Sequence, residues 1–431
     1  MSESIERSVV DTQLARAAAP AALSQSITRG QWLTLVAALL GWMFDGMEMG
    51  IFPIIGRPAL QSLLGSSSEG LIAEWFSFIT AVFLVGAALG GVLFGWLGDR
   101  IGRVHAMTAS VLVYSVFTGA CYFADTPWHL AILRFVAALG MGGEWALGVA
   151  LVMETWPGIA RPVLAGLIGA ASNVGFLLIG IVTLSFRADV QNWRWVMLVG
   201  AAPAALTFFI RIFVPESERW KSAVVERTRS PLAEVFSGPQ LKTTLLAIAF
   251  GSIALVGTWG SVQWIPSWID KIAVDQPGAK SLASILSSAG AIVGSFLGAA
   301  VGVRLDRRAV YFTLCLSSLL VCGYLFRAMG EFNAAMLAVI GLAGCVTAAF
   351  YGWLPLYLPE LFPTRMRATG QGLAFNFGRI VAAFASLQTG ALVKRFDGSI
   401  AQAAAATSLV YALGLVLIWL APETRGRPLP E

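Results

Sequence analysis

Runs of roughly 20 apolar residues recur along the whole of this 431-residue chain, each long enough to cross about 30 Å of hydrocarbon as an α-helix. Twelve are predicted, at 32–54, 72–97, 105–123, 128–153, 162–185, 193–213, 242–265, 282–303, 309–328, 333–357, 369–392 and 402–421. Only 12% of the residues are charged, against about a quarter in a soluble domain. The chain therefore reads as an all-α membrane protein.

The first thirty residues carry Arg7, Arg16 and Arg29 among acids, with no short apolar core before a cleavage site, so no signal peptide is expected. Cysteines 121, 315, 322 and 345 all fall within predicted spans and show no zinc spacing, so neither a disulfide framework nor a metal or cofactor is expected. With the N-terminus inside, the inner loops and tails hold 19 of the 29 Lys and Arg residues and the outer loops 8. That bias places both termini in the cytoplasm of a cell whose plasma membrane, the inner membrane in a bacterium, holds the chain. The net charge of +5 then reflects this bias and gives no reason to expect nucleic acid.

The chain is also duplicated. Gly91, Gly95, Asp99 and Arg100 in GVLFGWLGDRIGR return as Gly298, Gly302, Asp306 and Arg307. Glu154, Pro157 and Arg161 return as Glu360, Pro363 and Arg367, and Pro215-Glu216-Ser217 as Pro422-Glu423-Thr424, all at offsets of 206 or 207. Two parallel repeats of six helices follow: a tail at 1–31, bundles at 32–213 and 242–421, a cytoplasmic connector at 214–241 and a tail at 422–431. Six plus six parallel repeats with a site between them at mid-membrane describe an alternating-access transporter.

At this point the motifs resemble those of the major facilitator superfamily. GWLGDRIGR is similar to its signature loop between the second and third helices, Arg134 stands where the family has a fourth-helix arginine, and PESER and PETRG look like its half-terminal signatures. The resemblance covers about residues 30–427. It implies the major facilitator fold and a cytoplasmic conformational latch, here Gly95, Asp99, Arg100, Arg103, Glu154, Arg161, Asp306, Glu360 and Arg367. Gly91 and Gly95, in small-xxx-small spacing, are expected to let two helices pack closely. Because GVRLDRR lacks the glycine and arginine that follow in the first copy, Asp99 is expected to matter more than Asp306.

A charge at the bilayer centre costs at least about 2.5–3.5 kcal/mol on insertion scales, so ionisable residues inside spans are functional candidates. Asp45 lies roughly 18 Å into the first span at 1.5 Å per residue, and Glu48 follows on the same face. Two carboxylates there cannot both stay ionised cheaply, so one can carry a proton. The alternative for Glu48 is a water-exposed vestibule. In the proton-coupled sugar branch of the superfamily a first-helix aspartate pairs with a fourth-helix arginine, and Asp45 and Arg134 match those positions; counting residues, however, puts Arg134 nearer the outer face. GGEW around Glu144 resembles bacterial organic-acid and sialate proton symporters, leaving Glu144 as a second proton site or a buried packing carboxylate.

Arg379 lies roughly 15 Å into the eleventh span, and no span of its half holds an acid. A permanently charged arginine needs an anion, which a carboxylate substrate supplies bidentately. The organic-anion branch looks similar around its own eleventh-helix arginine. Asn376 precedes Arg379 by one turn, and the repeat offset maps Arg379 onto Asn173. Trp259, Trp264, Tyr351 and Trp353 either stack on an apolar substrate body or sit in interfacial belts, and Gln263 is a weaker polar candidate. Against a sugar substrate, the seventh span lacks the glutamine pair of sugar-carrying relatives, and Gly169 stands at their fifth-helix glutamine position. No H-E-x-x-H or G-x-S-x-G argues for an enzyme. The expectation is proton-coupled symport of a small organic anion by a monomer, with anion exchange, uniport or a non-transporting sensor as alternatives.

Overall fold

A computed structural model describes residues 28–156, 161–214, 235–238, 240–363, 367–427 and 430. The first five spans are α1 (Arg29–Leu64), α2 (Glu69–Ile101), α3 (Arg103–Ala120), α4 (Pro127–Thr155) and α5 (Arg161–Ser185). The sixth is split into α6 (Arg194–Val199) and α7 (Ala204–Phe213). The seventh comprises α8 (Gln240–Gly260), a 3-10 turn (Val262–Trp264) and α9 (Ile265–Ile272). There follow α10 (Ala279–Arg304), α11 (Arg307–Ala328), α12 (Ala334–Glu360) and α13 (Arg367–Arg395), and a twelfth span made of α14 (Ile400–Thr407) and α15 (Val410–Leu417). All twelve predicted runs are helical among the described residues, where no strand occurs. Nine helical stretches there are long and apolar enough to cross a membrane. Most of the expected connector at 214–241 lies outside the described residues.

Local chemistry sets the helix ends. At the start of α1, Thr28 and Gln31 form a reciprocal capping box, and Gly65 closes the helix in the left-handed conformation at φ 58°. Thr126 caps α4 ahead of Pro127, and Asn333 caps α12. α1 runs ten residues beyond its expected end at 54, because Arg57 finds carboxylate partners and its polarity does not stop the helix. The seventh span also differs from expectation. Ser261 leaves helical geometry (φ −134°, ψ −62°) and Pro266 stands in the first turn of a new helix, where its missing N–H is harmless, so the span continues to Ile272.

Small residues bring the helices of each half together. A Cβ on Gly90 would strike the backbone of Leu139, and one on Gly142 that of Ala87, so α2 and α4 touch main chain to main chain. In the second repeat Gly294 and Gly298 meet the backbones of Cys345 and Ala349 on α12. The register differs from the expected one in the first copy: Gly91 abuts Asn376 of the other half, and no described atom lies within 4 Å of a Cβ on Gly95. Exposed Val92, Leu320, Phe384 and Val416 offer the bundle's outside to lipid.

The halves meet chiefly where α2 packs on α13 and α5 on α10. At the end far from the chain termini, hereafter distal, polar contacts tie them. Arg57 bridges Glu69 at 2.6 Å and Asp270 of the second half at 2.9 Å, and Lys280 also holds Asp270 at 2.9 Å. Ser267 donates to the Pro53 carbonyl and Lys394 pairs with Glu74. Toward the termini, Gly95 and Gly372 face open space.

Candidate functional site

Asp45, Glu48, Arg134, Glu144 and Arg379 are all less than 10% exposed, at mid-depth between helices. α1 runs away from the termini and α4 runs back, so a residue early in α4 lies level with one late in the core of α1. Arg134 accordingly meets Glu48, through Nη1 and Oε1, and Thr118 of α3 donates to the same oxygen at 3.0 Å. The rings of Phe83 and Phe52 cover the guanidinium at 4.6 and 5.5 Å, replacing water with π faces. This overturns the expected Asp45–Arg134 pair and the vestibule alternative for Glu48. Glu48 is one turn nearer the distal end than Asp45 and matches the depth of Arg134.

Asp45 has different company. Its charged neighbours are Glu144, Glu48 and Arg379, and Glu144 is within hydrogen-bonding reach. Gly41 makes the room: a side chain there would fall on the Glu144 carboxylate. Asp45 Oδ1, both Glu144 oxygens and the Tyr114 hydroxyl have no hydrogen-bond partner. Tyr114 faces the same three carboxylates from α3.

Arg379 reaches this cluster from the other half. Nη1 donates to the Ala87 carbonyl of α2 at 3.3 Å and to Asn376 Oδ1 at 3.4 Å, and the guanidinium lies 5.2 Å from the Phe375 ring. Asp45 and Tyr351 are its electrostatic neighbours. Tyr351 shares a 2.8 Å hydrogen bond with Thr258. Asn173 also faces the opposite half, donating to Ser295 Oγ at 3.2 Å as well as to its own Gly169 carbonyl. Arg379, Asn376, Asn173 and Tyr351 thus all lie along the seam between halves.

The aromatic candidates divide. Trp259 and Gln263 line a narrow space on the distal side of Arg134, with Phe52, Phe76 and Phe83. Trp264 is buried against Phe76 at 4.6 Å and packs the distal closure. Trp353 is a correction: fully buried between Tyr311 and Tyr357, at 4.9 and 4.7 Å, it belongs to the core of the second half. Phe83, Tyr114, Thr118 and Phe375 escaped the sequence reading, because an aromatic or hydroxyl residue in an apolar helix carries no mark of the charge it will touch.

Of the residues expected to form a latch, those of the second copy make the following contacts. Arg307 binds both Glu360 oxygens at 2.9 and 2.7 Å, Thr424 donates to Glu360 at 2.6 Å, and Glu423 accepts from the amides of Arg307 and Arg308. Asp306 makes only an exposed pair with Arg425 at 3.0 Å. Arg307, rather than Asp306, is the hub of this cluster. Its repeat counterpart Arg100 instead lies over Trp96 at 4.1 Å, exposed. Arg103 begins α3. The side chains of Asp99, Glu154, Arg161 and Arg367 lie outside the described residues.

A two-half helical bundle that gathers its buried charges along the seam, away from lipid, has the architecture of a membrane transporter. The chain belongs to the Major Facilitator Superfamily, whose family model matches residues 32–386. It is 27% identical over 348 residues to the sialic acid transporter NanX of Escherichia coli K12, covering 80% of this chain and 83% of that protein. It is 27% identical over 429 residues to the niacin transporter NiaP of Acinetobacter baylyi, covering 90% and 93%. Its fold superposes on a partially occluded, inward-open structure of the Escherichia coli xylose transporter XylE with a TM-score of 0.73 at 16% identity, covering 93% of this chain and 100% of that one. The protein is an integral membrane transporter and not an enzyme.

Proposed function

We propose that this transporter carries a small organic anion, a carboxylate, into the bacterial cell together with protons, by alternating access between its two halves. The observation that carries this reading is Arg379. It is buried on the seam, its hydrogen bonds go to neutral acceptors, and its nearest acid, Asp45, already faces Glu144. A guanidinium so placed has donors left for a substrate carboxylate. Asn376, Asn173 and Tyr351 add polar contacts, and Phe375 an apolar wall. The names of NanX and NiaP, whose substrates are both carboxylic acids, point the same way. With both termini cytoplasmic, the closed distal end faces outside and the site opens inward.

The test is uptake by proteoliposomes of a labelled panel of nicotinate, benzoate, gallate and sialic acid. At least one should accumulate under an outside-acid pH gradient, and Arg379→Ala should abolish its binding in a thermal-shift assay. Binding unchanged in Arg379→Ala would place the anion elsewhere. Uptake indifferent to pH would leave exchange or uniport.

A further inference from the structure

The seam between the halves carries an aromatic wall as well as charges. Phe83 of α2 and Trp259 of α8 face each other across it, with ring centroids 6.0 Å apart and planes tilted by 42°. Behind them Phe52 and Phe76 stack at 4.8 Å, and Phe76 closes on Trp264 at 4.6 Å. The narrow space lined by these rings is poor in free hydrogen-bonding groups. Thr80 gives its hydroxyl to the Phe76 carbonyl at 2.8 Å and Arg134 is held by Glu48, which leaves the Gln263 amide among the lining residues.

This wall begins one helical turn from Arg379. The guanidinium donates to the Ala87 carbonyl at 3.3 Å, and Phe83 lies four residues before Ala87 on α2, on the same face and about 6 Å nearer the distal end. A charge-assisted hydrogen bond of about 2.8 Å together with the bonds from a carboxylate to the centre of an attached ring spans a similar distance. In the second half, Thr258 beside Trp259 bonds Tyr351 at 2.8 Å. Tyr351 and Phe375, whose ring lies 5.2 Å from the Arg379 guanidinium, pack in one apolar cluster with Phe83 and Trp259. The rings and the arginine thus form one continuous surface.

We propose that the substrate is a flat aromatic monocarboxylate whose carboxylate binds Arg379 and whose ring slides between Phe83 and Trp259, so that one molecule bridges the two halves. The proposal rests on the anion site at Arg379. Two stacking contacts of about 3.5 Å each need the faces about 7 Å apart, so the walls part by about 1 Å from their present 6.0 Å. That is a small step for two bundles that rock against each other. An aromatic ring suits the slot because ring pairs gain free energy beyond the area they bury. A polyhydroxylated acid does not, since each hydroxyl leaves water for a hydrocarbon face and costs free energy where no partner meets it. A second carboxylate at the far end of the ring would meet Phe52, Phe76 and an arginine already neutralised by Glu48.

The experiment measures binding to the full chain in detergent by isothermal titration with benzoate and cyclohexanecarboxylate, both ionised at neutral pH. These acids share a carboxylate and a six-membered ring and differ in flatness and π electrons. Benzoate should bind about threefold to tenfold more tightly, and sialic acid more weakly than either. Trp259→Leu should bring the two acids within about twofold of each other, while Trp259→Phe should keep the preference. Phe83→Leu gives a second reading of the same wall if Trp259→Leu does not elute as a folded, monodisperse protein. Equal affinity for the two acids in the unsubstituted chain, sialic acid bound as tightly as benzoate, or a preference that survives loss of either ring overturns the slot, and Arg379→Ala abolishing binding would then leave the anion site standing. Benzoate binding that survives Arg379→Ala refutes the anion site itself, and the proposal with it. Failure of both benzoate and nicotinate to bind the unsubstituted chain also overturns the proposal.

Discussion

A buried arginine is only as tolerable as its counter-ion, and the two in this protein solve that problem differently. Arg134 is satisfied permanently by Glu48, with two aromatic rings in place of solvent. Breaking such a pair from one side strands a charge and costs about 3–5 kcal/mol, while removing both partners costs far less. Glu48→Gln and Arg134→Met should therefore each lower the thermal unfolding temperature in detergent by several degrees, and the double variant should recover much of the loss. Additive losses would show that the pair does not act as a unit. Arg379 has no such direct ion pair, only hydrogen bonds to the Ala87 carbonyl and Asn376, and Arg379→Ala should remove anion binding while the variant still elutes as a folded, monodisperse protein in detergent. The five ionisable residues were legible as candidates because each is an expensive residue in an apolar run. Which acid met which arginine was not. That choice turns on one helical turn of depth, the distance from Asp45 to Glu48, and residue counting puts Arg134 nearer the outer face than Asp45.

Among the elements, α11 shows how a helix start is held at the membrane surface. Burial alone would raise the Glu423 carboxyl, but the amides of Arg308, Arg425, Arg307 and Thr424 donate to it and outweigh burial, holding it below the usual glutamate range. A carboxyl lowered on folding adds stability that is complete at neutral pH and is lost as pH falls through its folded value. The cap should thus persist through mildly acid conditions and fail only below the ordinary glutamate range. Glu423→Gln should fray the first turn of α11 at neutral pH, seen as faster amide hydrogen exchange at Arg307 and Arg308, with little change in the hydrogen exchange of α12. Equal protection in the variant would mean that Arg307–Glu360 alone holds the end. The duplicated motif announced that this region mattered, yet Asp306, its marked residue, ends in an exposed pair while the neighbouring Arg307 is the hub. In the same way Pro266 signalled an end to a helix, correctly, and concealed that another helix begins at once.

For the whole molecule, the distal tie of Arg57, Asp270 and Lys280 is the main ionic contact between halves among the described residues, apart from the exposed Lys394–Glu74 pair. Exposed pairs contribute little, whereas the half-buried Arg57 has two carboxylates to lose. Arg57→Ala with Asp270→Asn should shift the population toward distal opening. A cysteine at position 263, in a background without Cys121, Cys315, Cys322 and Cys345, should then react faster with an impermeant maleimide; an unchanged rate would assign the closure to the apolar packing of Phe76 and Trp264. The twelve spans, the duplication and the charged residues worth following were determined by the sequence alone, because run length, repetition and the insertion cost of an ion are local properties of the chain. The Glu48–Arg134 pair, the Asp45–Glu144 contact, the burial of Trp353 and the closed distal end were decided by tertiary structure. They depend on the relative depth and rotation of helices running in opposite directions, which no single segment encodes.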